Sequence, residues 1–297
     1  MASPTRSPRR PAWPARLRPS GRTVLVAPGA VLLLLLVAAP LALLTLYAFG
    51  TPDYVNVSVT FGWSLESFGR VFDGLYFDAL TRSLLIALGS TVGCLLLGLP
   101  VAYAISRMEG RTQIVLLIAV MVPFWTSFVV RTYSIVNLIG DNGPLADLLN
   151  AIGLVHGPIQ LLYTSPGVLI GMIYTYLPLM ILPLFIAFTR ADRNLGAAAS
   201  DLGATPVRFF FRVALPLARP GIVAGCLLVA IPAAGEFVVP AILGGEKTLL
   251  LGNVISSQFV DVGDDPFGSA LAVTLMVILT VILVSARSRA MRGTGAF

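Results

Sequence analysis

One stretch decides the fold of this chain: Ala197-Ala198-Ala199-Ser200-Asp201-Leu202-Gly203-Ala204-Thr205-Pro206-Val207-Arg208-Phe209-Phe210-Phe211-Arg212-Val213-Ala214-Leu215-Pro216, which lies between two long apolar segments. Gly203 can adopt the left-handed conformation that ends a helix. Pro206 suits the first turn of the next helix, because its missing N–H would be unpaired there anyway. The stretch therefore predicts a helix, a tight turn and a second helix. We call residues 190–220 the bracket; an ordinary loop with chance alanines and prolines is the alternative.

The composition is typical of a polytopic membrane protein. Of the 297 residues, 57% are hydrophobic and only 11% are charged, whereas soluble domains carry about 25% charged residues. Cys94 and Cys226 each lie in an apolar segment. We therefore expect both to pack as small hydrophobic residues without forming a disulfide.

The apolar segments predict an all-α protein with six transmembrane helices, since each approaches or exceeds the roughly 20 residues that cross a bilayer. The expected spans are Val24–Phe49, Ala79–Ile105, Thr112–Val136, Pro166–Phe188, Gly221–Leu243 and Phe267–Ser285. Three of them contain Gly-x3-Gly pairs, which allow helices to approach closely. Residues 24–297 are expected to form one transmembrane domain.

Residues 1–23 contain six arginines, five prolines and no acidic residue. Nucleic-acid binding is one interpretation, but an apolar span follows at once, which favours a disordered cytoplasmic tail that fixes orientation. A signal peptide does not fit, because the apolar stretch is longer than the roughly 7–15 residues of such a segment.

The basic residues also predict the orientation of the chain. Sixteen of the twenty Lys and Arg residues fall in the two tails, the loop between spans two and three, and the bracket. The positive-inside rule therefore places both termini and the bracket in the cytoplasm. Residues 137–165, with a short helix over Leu145–Leu154, and 244–266, with exposed acidic residues that include Asp264, are expected outside. The aromatic segment 50–78 is expected to lie partly on the outer interface.

The sequence shows no residue pattern typical of a catalytic site or a metal site. His156 is the single histidine, we expect it to be an ordinary loop residue, and no His, Cys and carboxylate residues have metal-ligand spacing. Gly244-Gly245-Glu246-Lys247-Thr248 superficially resembles a phosphate-binding loop, but Glu246 precedes the lysine and no strand leads into it. We expect no enzyme activity, no ATP hydrolysis by this chain, no metal and no cofactor.

The bracket resembles the Glu-Ala-Ala loop of the membrane subunits of binding-protein-dependent ABC importers. The family pattern Glu-Ala-Ala-x3-Gly-x9-Ile-x-Leu-Pro is matched at Ala198, Ala199, Gly203, Leu215 and Pro216, with Val213 in place of Ile and Ala197 in place of Glu. The resemblance implies the type I ABC importer permease (MetI-like) fold and a bracket that docks in a cleft of a cytoplasmic ATPase. The coupling residues it implies are Ala197, Ala198, Ala199, Asp201, Gly203, Ala204, Arg208, Leu215 and Pro216. Because Ala197 removes the family's carboxylate, we expect shape and Arg208 or Arg212 to carry more of the contact.

A wider stretch, about residues 70–290, is similar to the spermidine/putrescine permease branch of this family. The similar segments are Pro220–Val229, Gly235–Pro240, Leu243–Gly245, Gly252–Ile255, Gln258-Phe259 and Asp265–Ala270. The resemblance implies a subunit of the bacterial inner membrane that pairs with a second permease chain, two copies of an ATPase and an extracytoplasmic solute-binding protein. Membrane lipid would surround it, and no nucleic acid is expected. Import of another small solute is the alternative. An ion-driven secondary transporter would not need the bracket, and neither a channel nor a scaffold explains it.

Within span five, Glu236 lies among Pro232, Gly235 and Pro240, which loosen the helix. A carboxylate facing lipid is costly, so Glu236 must face protein or water. Two interpretations stay open. Glu236 is a structural residue paired with a neighbouring helix, for example with Arg131 of span three, or it is a gate or cation-attracting element of the translocation path. The aromatic candidates line that path, or they are packing and interface anchors: Phe124, Trp125, Tyr174 and Tyr176.

Overall fold

A computed structural model describes residues 21–53, 58–60, 62–141, 143–153, 159–190, 194–245 and 248–294. The chain divides into two compact units, one up to Leu44 and one from Thr45 onward. The basic tail expected at residues 1–23 lies outside the described residues, apart from the last three, which belong to the first helix. His156, Glu246 and Lys247 also lie outside them.

The described part of the chain is helical except for one short hairpin. The helices are α1 Gly21–Ala48, α2 Glu66–Arg70, α3 Gly74–Arg107, α4 Gly110–Trp125, α5 Phe128–Ile139, α6 Pro144–Ala151, α7 Ser165–Arg190, α8 Asn194–Asp201, α9 Pro206–Phe209, α10 Leu215–Leu217, α11 Arg219–Ala234, α12 Val238–Leu243, α13 Leu251–Ser257 and α14 Asp265–Thr294. The antiparallel pair β1 Thr51–Asp53 and β2 Ser58–Thr60, absent from the all-helical expectation, lies within the segment expected at the outer interface.

Four of these helices are long and apolar enough to cross a membrane: α1, α3, α7 and α14. Two bent helix pairs bring the number to six if each pair is counted as one span: Gly110–Trp125 with Phe128–Ala151, and Pro206–Leu217 with Arg219–Ala234. Six spans are therefore consistent with the prediction, but spans three and five are not continuous helices. Span three stops at Trp125 and resumes at Phe128, whereas an unbroken helix over Thr112–Val136 was expected. Span five stops at Ala234 and resumes at Val238.

The second unit is built around α7, which packs between α3 and α11. Met180 of α7 is fully buried. A Cβ atom added to Gly98 of α3 would lie 3.1 Å from its Cγ, and one added to Gly225 of α11 would lie 2.7 Å from its Sδ. Glycines thus admit the thioether from both sides, as membrane helices with small residues at their contacts do. Of the predicted Gly-x3-Gly residues, Gly93 lies against Ile173 of α7, and Gly221 and Gly225 lie against the same helix, so the expected close approach is confirmed for these residues.

The start of α14 is fixed by a buried ion pair. Asp264, expected on an exposed loop, is 0% exposed, and its Oδ2 lies 2.8 Å from Nη1 of Arg70. Its Oδ1 accepts a hydrogen bond from the Phe267 N–H at 3.1 Å, so the carboxylate also caps the N-terminal end of the helix. The Arg70 guanidinium lies 4.0 Å from the centre of the Phe267 ring. The expected exposure of Asp264 is wrong, because a partner 194 residues away removes its charge from water.

We expect Asp264→Ala to destabilise the folded protein by roughly 2–3 kcal/mol. Removing one partner of a fully buried pair costs about 3–5 kcal/mol, and Arg70, whose side chain is 35% exposed, can regain water. Thermal unfolding of the purified protein in detergent measures the change. Asp261→Ala is the matched control, since Asp261 is exposed in the π-helical turn Gln258–Val262 that precedes Asp264. Equal melting temperatures for both variants would contradict a stabilising ion pair.

Candidate functional site

The turn of the bracket has the geometry that its sequence predicts. Gly203 has φ +78°, in the left-handed region. The Ala204 N–H donates to the Ala199 carbonyl and the Gly203 N–H to the Ser200 carbonyl, both at 2.9 Å. These two bonds form a Schellman motif, which satisfies the last carbonyl groups of α8. The predicted helix, tight turn and left-handed glycine are confirmed.

The second helix of the bracket begins as expected at Pro206. The Thr205 side chain accepts a hydrogen bond from the Arg208 N–H at 3.3 Å, so Thr205 is the N-cap residue. After α9 the chain forms a π-helical turn over Phe210–Ala214 and continues through α10. The helical segment 206–217 then bends by 68° into α11. The bracket is therefore continuous with the first half of span five.

Aromatic side chains attach the bracket to the ends of two spans. Phe210 lies 4.9 Å from the ring of Tyr103 on α3 and 6.2 Å from that of Phe188 on α7, measured between ring centres. The Arg107 guanidinium lies 5.0 Å from the Tyr103 ring and 5.2 Å from the Phe209 ring. This arrangement allows cation–π attraction on both sides of Arg107. A shift of the bracket would therefore alter its ring contacts with the ends of α3 and α7.

Several apolar residues of the bracket are exposed. Leu202 at the turn is 88% exposed, Val207 is 67% exposed and Phe211 is 61% exposed. Among the coupling residues named from the sequence, Ala198, Asp201, Gly203 and Arg208 are exposed, and Ala199, Ala204, Leu215 and Pro216 are half-buried. Ala197 lies within α8. Exposed apolar residues of this size at the turn are suited to docking on another protein.

Glu236 lies in the break of span five, between α11 and α12. Its Oε1 accepts hydrogen bonds from the N–H groups of Phe237, Val238 and Val239 at 3.1, 2.9 and 3.4 Å. These groups begin α12 and have no partner within that helix. The Tyr176 hydroxyl of α7 donates to Oε2. The side chain, 9% exposed, therefore holds the second half-helix in place through its N-terminal end.

Arg131 lies at the break of span three and binds carbonyl groups there, whereas Glu236 binds N–H groups. Its Nη2 donates to the carbonyl groups of Phe124 and Thr126 at 3.2 and 3.1 Å, which are freed where α4 ends. Its Nη1 reaches the Thr175 carbonyl of α7 at 3.4 Å. Within the described residues the partners of Arg131 are backbone carbonyls, so the pairing with Glu236 suggested as one interpretation is wrong. Each charge is satisfied by a helix end of complementary sign instead.

Helix α7 brings the two breaks together, because Thr175 and Tyr176 are consecutive residues. Four of the six path candidates meet around it: Glu236, Tyr176, Arg131 and Phe124, whose ring centre lies 5.6 Å from the Arg131 guanidinium carbon. Trp125 is 77% exposed and Tyr174 is 43% exposed, so these two are not part of that cluster. Tyr176 contributes its hydroxyl, whereas the sequence suggested a role for its ring face.

Sequence reasoning missed the contribution of α13. The Leu251 N–H at its start donates to Ser83 Oγ of α3 at 2.7 Å, and the amide of Asn253 donates to the Phe237 carbonyl at 2.8 Å. Asn253 was part of a segment similar to known permeases, but nothing in its immediate neighbours indicates a partner sixteen residues earlier. Among the described residues, no group of three or more His, Cys, Asp or Glu side chains converges as a metal site would require.

Comparison with known proteins decides the family. Residues 59–291 match the family described as the binding-protein-dependent transport system inner membrane component. The chain belongs to this family. The chain is 40% identical to the spermidine/putrescine transport system permease protein PotB of Haemophilus influenzae. The match covers 84% of this chain and 87% of that protein. It is also 40% identical to PotB of Salmonella typhimurium, over 75% of this chain and 77% of that protein.

The fold agrees with the family. The permease resembles a chain in the crystal structure of a bacterial alginate ABC transporter in complex with an alginate pentasaccharide-bound periplasmic protein. The TM-score is 0.73 at 16% identity, with 92% of this chain and 95% of that chain covered. The predicted permease fold and the resemblance to the spermidine/putrescine branch are confirmed. The protein is a membrane-spanning permease subunit of an ABC importer.

Proposed function

We propose that this permease forms half of the translocation path of an importer for polyamines. The observation that carries the proposal is the 40% identity to spermidine/putrescine permeases across most of both chains. The Glu236 carboxylate adds support, because its described partners are N–H and O–H donors and include no basic side chain. Import of another small solute is the second candidate, since the alginate transporter has the same fold with a different solute.

The proposed assembly contains a second permease chain, two copies of a cytoplasmic ATPase and a solute-binding protein outside the membrane. The alginate transporter, which was crystallised with its periplasmic protein, supports the last of these partners. The hydrolysis of ATP is assigned to the ATPase, since the similar proteins are permeases. The exposed apolar turn of the bracket supports a docking role toward the ATPase.

Both termini and the bracket are proposed to face the cytoplasm, on the basis of the positive-inside rule. Cysteines introduced singly at Asn150 and Asp261, both exposed, should react with a membrane-impermeant thiol reagent added from the periplasmic side. A cysteine at exposed Leu202 of the bracket should react only after the membrane is opened. The reverse labelling pattern would contradict this orientation.

Coupling through the bracket is tested by Gly203→Val. A β-branched residue in the left-handed region costs about 1–2 kcal/mol or more locally, and no atom lies within 4 Å of an added Cβ. The effect is therefore one of backbone conformation, not of collision. We expect the protein to insert and fold while uptake falls severalfold.

Gly69→Val serves as the control for Gly203→Val, because an added Cβ also meets nothing within 4 Å there and Gly69 lies in α2, far along the chain from the bracket. Uptake and co-purification with the ATPase are the measurements. Wild-type values of both in Gly203→Val would argue against docking through this bracket.

The polyamine path is tested with the reconstituted complex and its binding protein over a panel of spermidine, putrescine, a neutral sugar and an anionic solute. We expect the wild type to import the polyamines. Glu236→Gln keeps an oxygen acceptor for α12 but removes the charge, so it should assemble and hydrolyse ATP yet import spermidine about tenfold more slowly, as loss of a charged hydrogen-bond partner predicts. Glu236→Asp should recover only part of the rate, since its carboxylate is withdrawn by one methylene.

Two outcomes would weigh against these assignments. Uptake of the sugar or the anion in place of polyamines would favour the second candidate function. A fully assembled Glu236→Gln complex with an unchanged uptake rate would make Glu236 a structural residue only.

A further inference from the structure

The break of span five contains more oxygen acceptors than its donors satisfy. We infer that the amide oxygen of Asn253, together with the main-chain carbonyl oxygens of Gly235 and Glu236, forms a subsite for an ammonium group of the solute. The inference rests on the proposed function, because it assigns Asn253 a role in the passage of a cationic solute beside the Glu236 carboxylate.

The two carbonyl groups lose their helical donors for reasons that are visible in the sequence. The donor for the Glu236 carbonyl in a regular helix would be residue 240, which is a proline without an N–H. The donor for the Gly235 carbonyl would be Val239, whose N–H is instead directed to the Glu236 carboxylate. The break therefore leaves two acceptors where an unbroken membrane helix would leave none.

Asn253 adds a third acceptor, and its orientation is fixed. The Phe237 carbonyl can only accept, so the amide nitrogen of Asn253 must face it, and it does so at 2.8 Å. The amide oxygen then points elsewhere. That oxygen is buried and has no hydrogen-bond partner among the described residues, which is an unfavourable state for a buried acceptor and one that calls for a bound donor.

Gly252 brings the start of α13 against the carbonyl groups of Gly235 and Glu236. A Cβ added there would lie 2.6 Å from the Glu236 carbonyl oxygen and 2.8 Å from that of Gly235. Backbone atoms cannot yield to such a contact, so only glycine lets α13 approach the break this closely. The residue that follows Gly252 is Asn253, and the closeness of α13 to the break explains why its side chain reaches Phe237.

The polar groups around the proposed subsite favour a positively charged ligand. Every unsatisfied group named here is an oxygen, and the Glu236 carboxylate accepts its described hydrogen bonds from neutral donors. Arg131, at the break of span three, is directed to carbonyl groups of span three and α7. An ammonium group carries several N–H donors and a positive charge, and it therefore suits a site where unsatisfied oxygen acceptors lie beside a carboxylate.

The test separates the two atoms of the Asn253 amide. Asn253→Ala removes both the donor to Phe237 and the free acceptor, while Asn253→Asp keeps an oxygen and loses the donor. Ser83→Ala is the matched control, because it removes the hydrogen bond that holds the start of α13 without changing the acceptors. Each variant is reconstituted as the full complex with its binding protein, and spermidine uptake and ATP hydrolysis are measured together.

We expect Asn253→Ala to lower spermidine imported per ATP hydrolysed by about tenfold, the change that loss of one hydrogen bond to a charged group predicts. Asn253→Asp should stay within about twofold of the wild type, and so should Ser83→Ala, since the acceptor survives in both. A purely structural role predicts the opposite: Asn253→Asp would then fall as far as Asn253→Ala, because neither can donate to Phe237. That result, or an equal loss in Ser83→Ala, or no loss in Asn253→Ala, would overturn the inference.

Solute uptake by the wild-type complex alone tests the proposed function. If the wild type imports a cationic solute other than spermidine, the same ratios are measured with that solute. If it imports only neutral or anionic solutes, the polyamine proposal and the ammonium subsite both fail. If it imports spermidine and the variants do not differ, only the subsite fails.

Discussion

Backbone groups freed at a break in a membrane helix cannot be hydrated by lipid, so protein groups must satisfy them. This constraint governs the centre of the permease. Glu236 receives three N–H groups at the start of α12, and Arg131 donates to two carbonyls where α4 ends. The signs are those that the helix dipoles demand, with an anion at an N-terminal end and a cation at a C-terminal end. Broken spans are stable here because each carries its own charged cap.

The two caps are linked to each other and to the bracket. Arg131 and Glu236 contact neighbouring residues of α7, so a shift of either half-helix bears on the same turn of one span. Helix α11 begins at the 68° bend after the bracket and ends at the break that contains Glu236. Helix α11 therefore connects the bracket directly to the break. Helix α7 packs against both α3 and α11.

What the sequence predicted well was local or periodic. Apolar length located the spans, and Gly203 with Pro206 specified the turn of the bracket because each acts on its own backbone. Pro232, Gly235 and Pro240 predicted a loosened helix in span five, where the structure has a full break. The break after Trp125 was missed, although Pro123 stands near it, since a proline in a membrane helix is often tolerated. The distant partners of Glu236, Asp264 and Asn253 were beyond reach, because Tyr176, Arg70 and the Phe237 carbonyl lie sixteen or more residues away in the chain.

The failure of the expected pairing of Glu236 with Arg131 has a functional consequence. An ion pair would have neutralised the carboxylate permanently and left little attraction for a solute. Capping by N–H groups and a tyrosine hydroxyl binds the carboxylate without neutralising it, since these donors carry no charge. The structural and the path interpretations of Glu236 are therefore not exclusive. The bonds that keep α12 in position are the same bonds that keep a negative charge available beside the unsatisfied oxygens of the break.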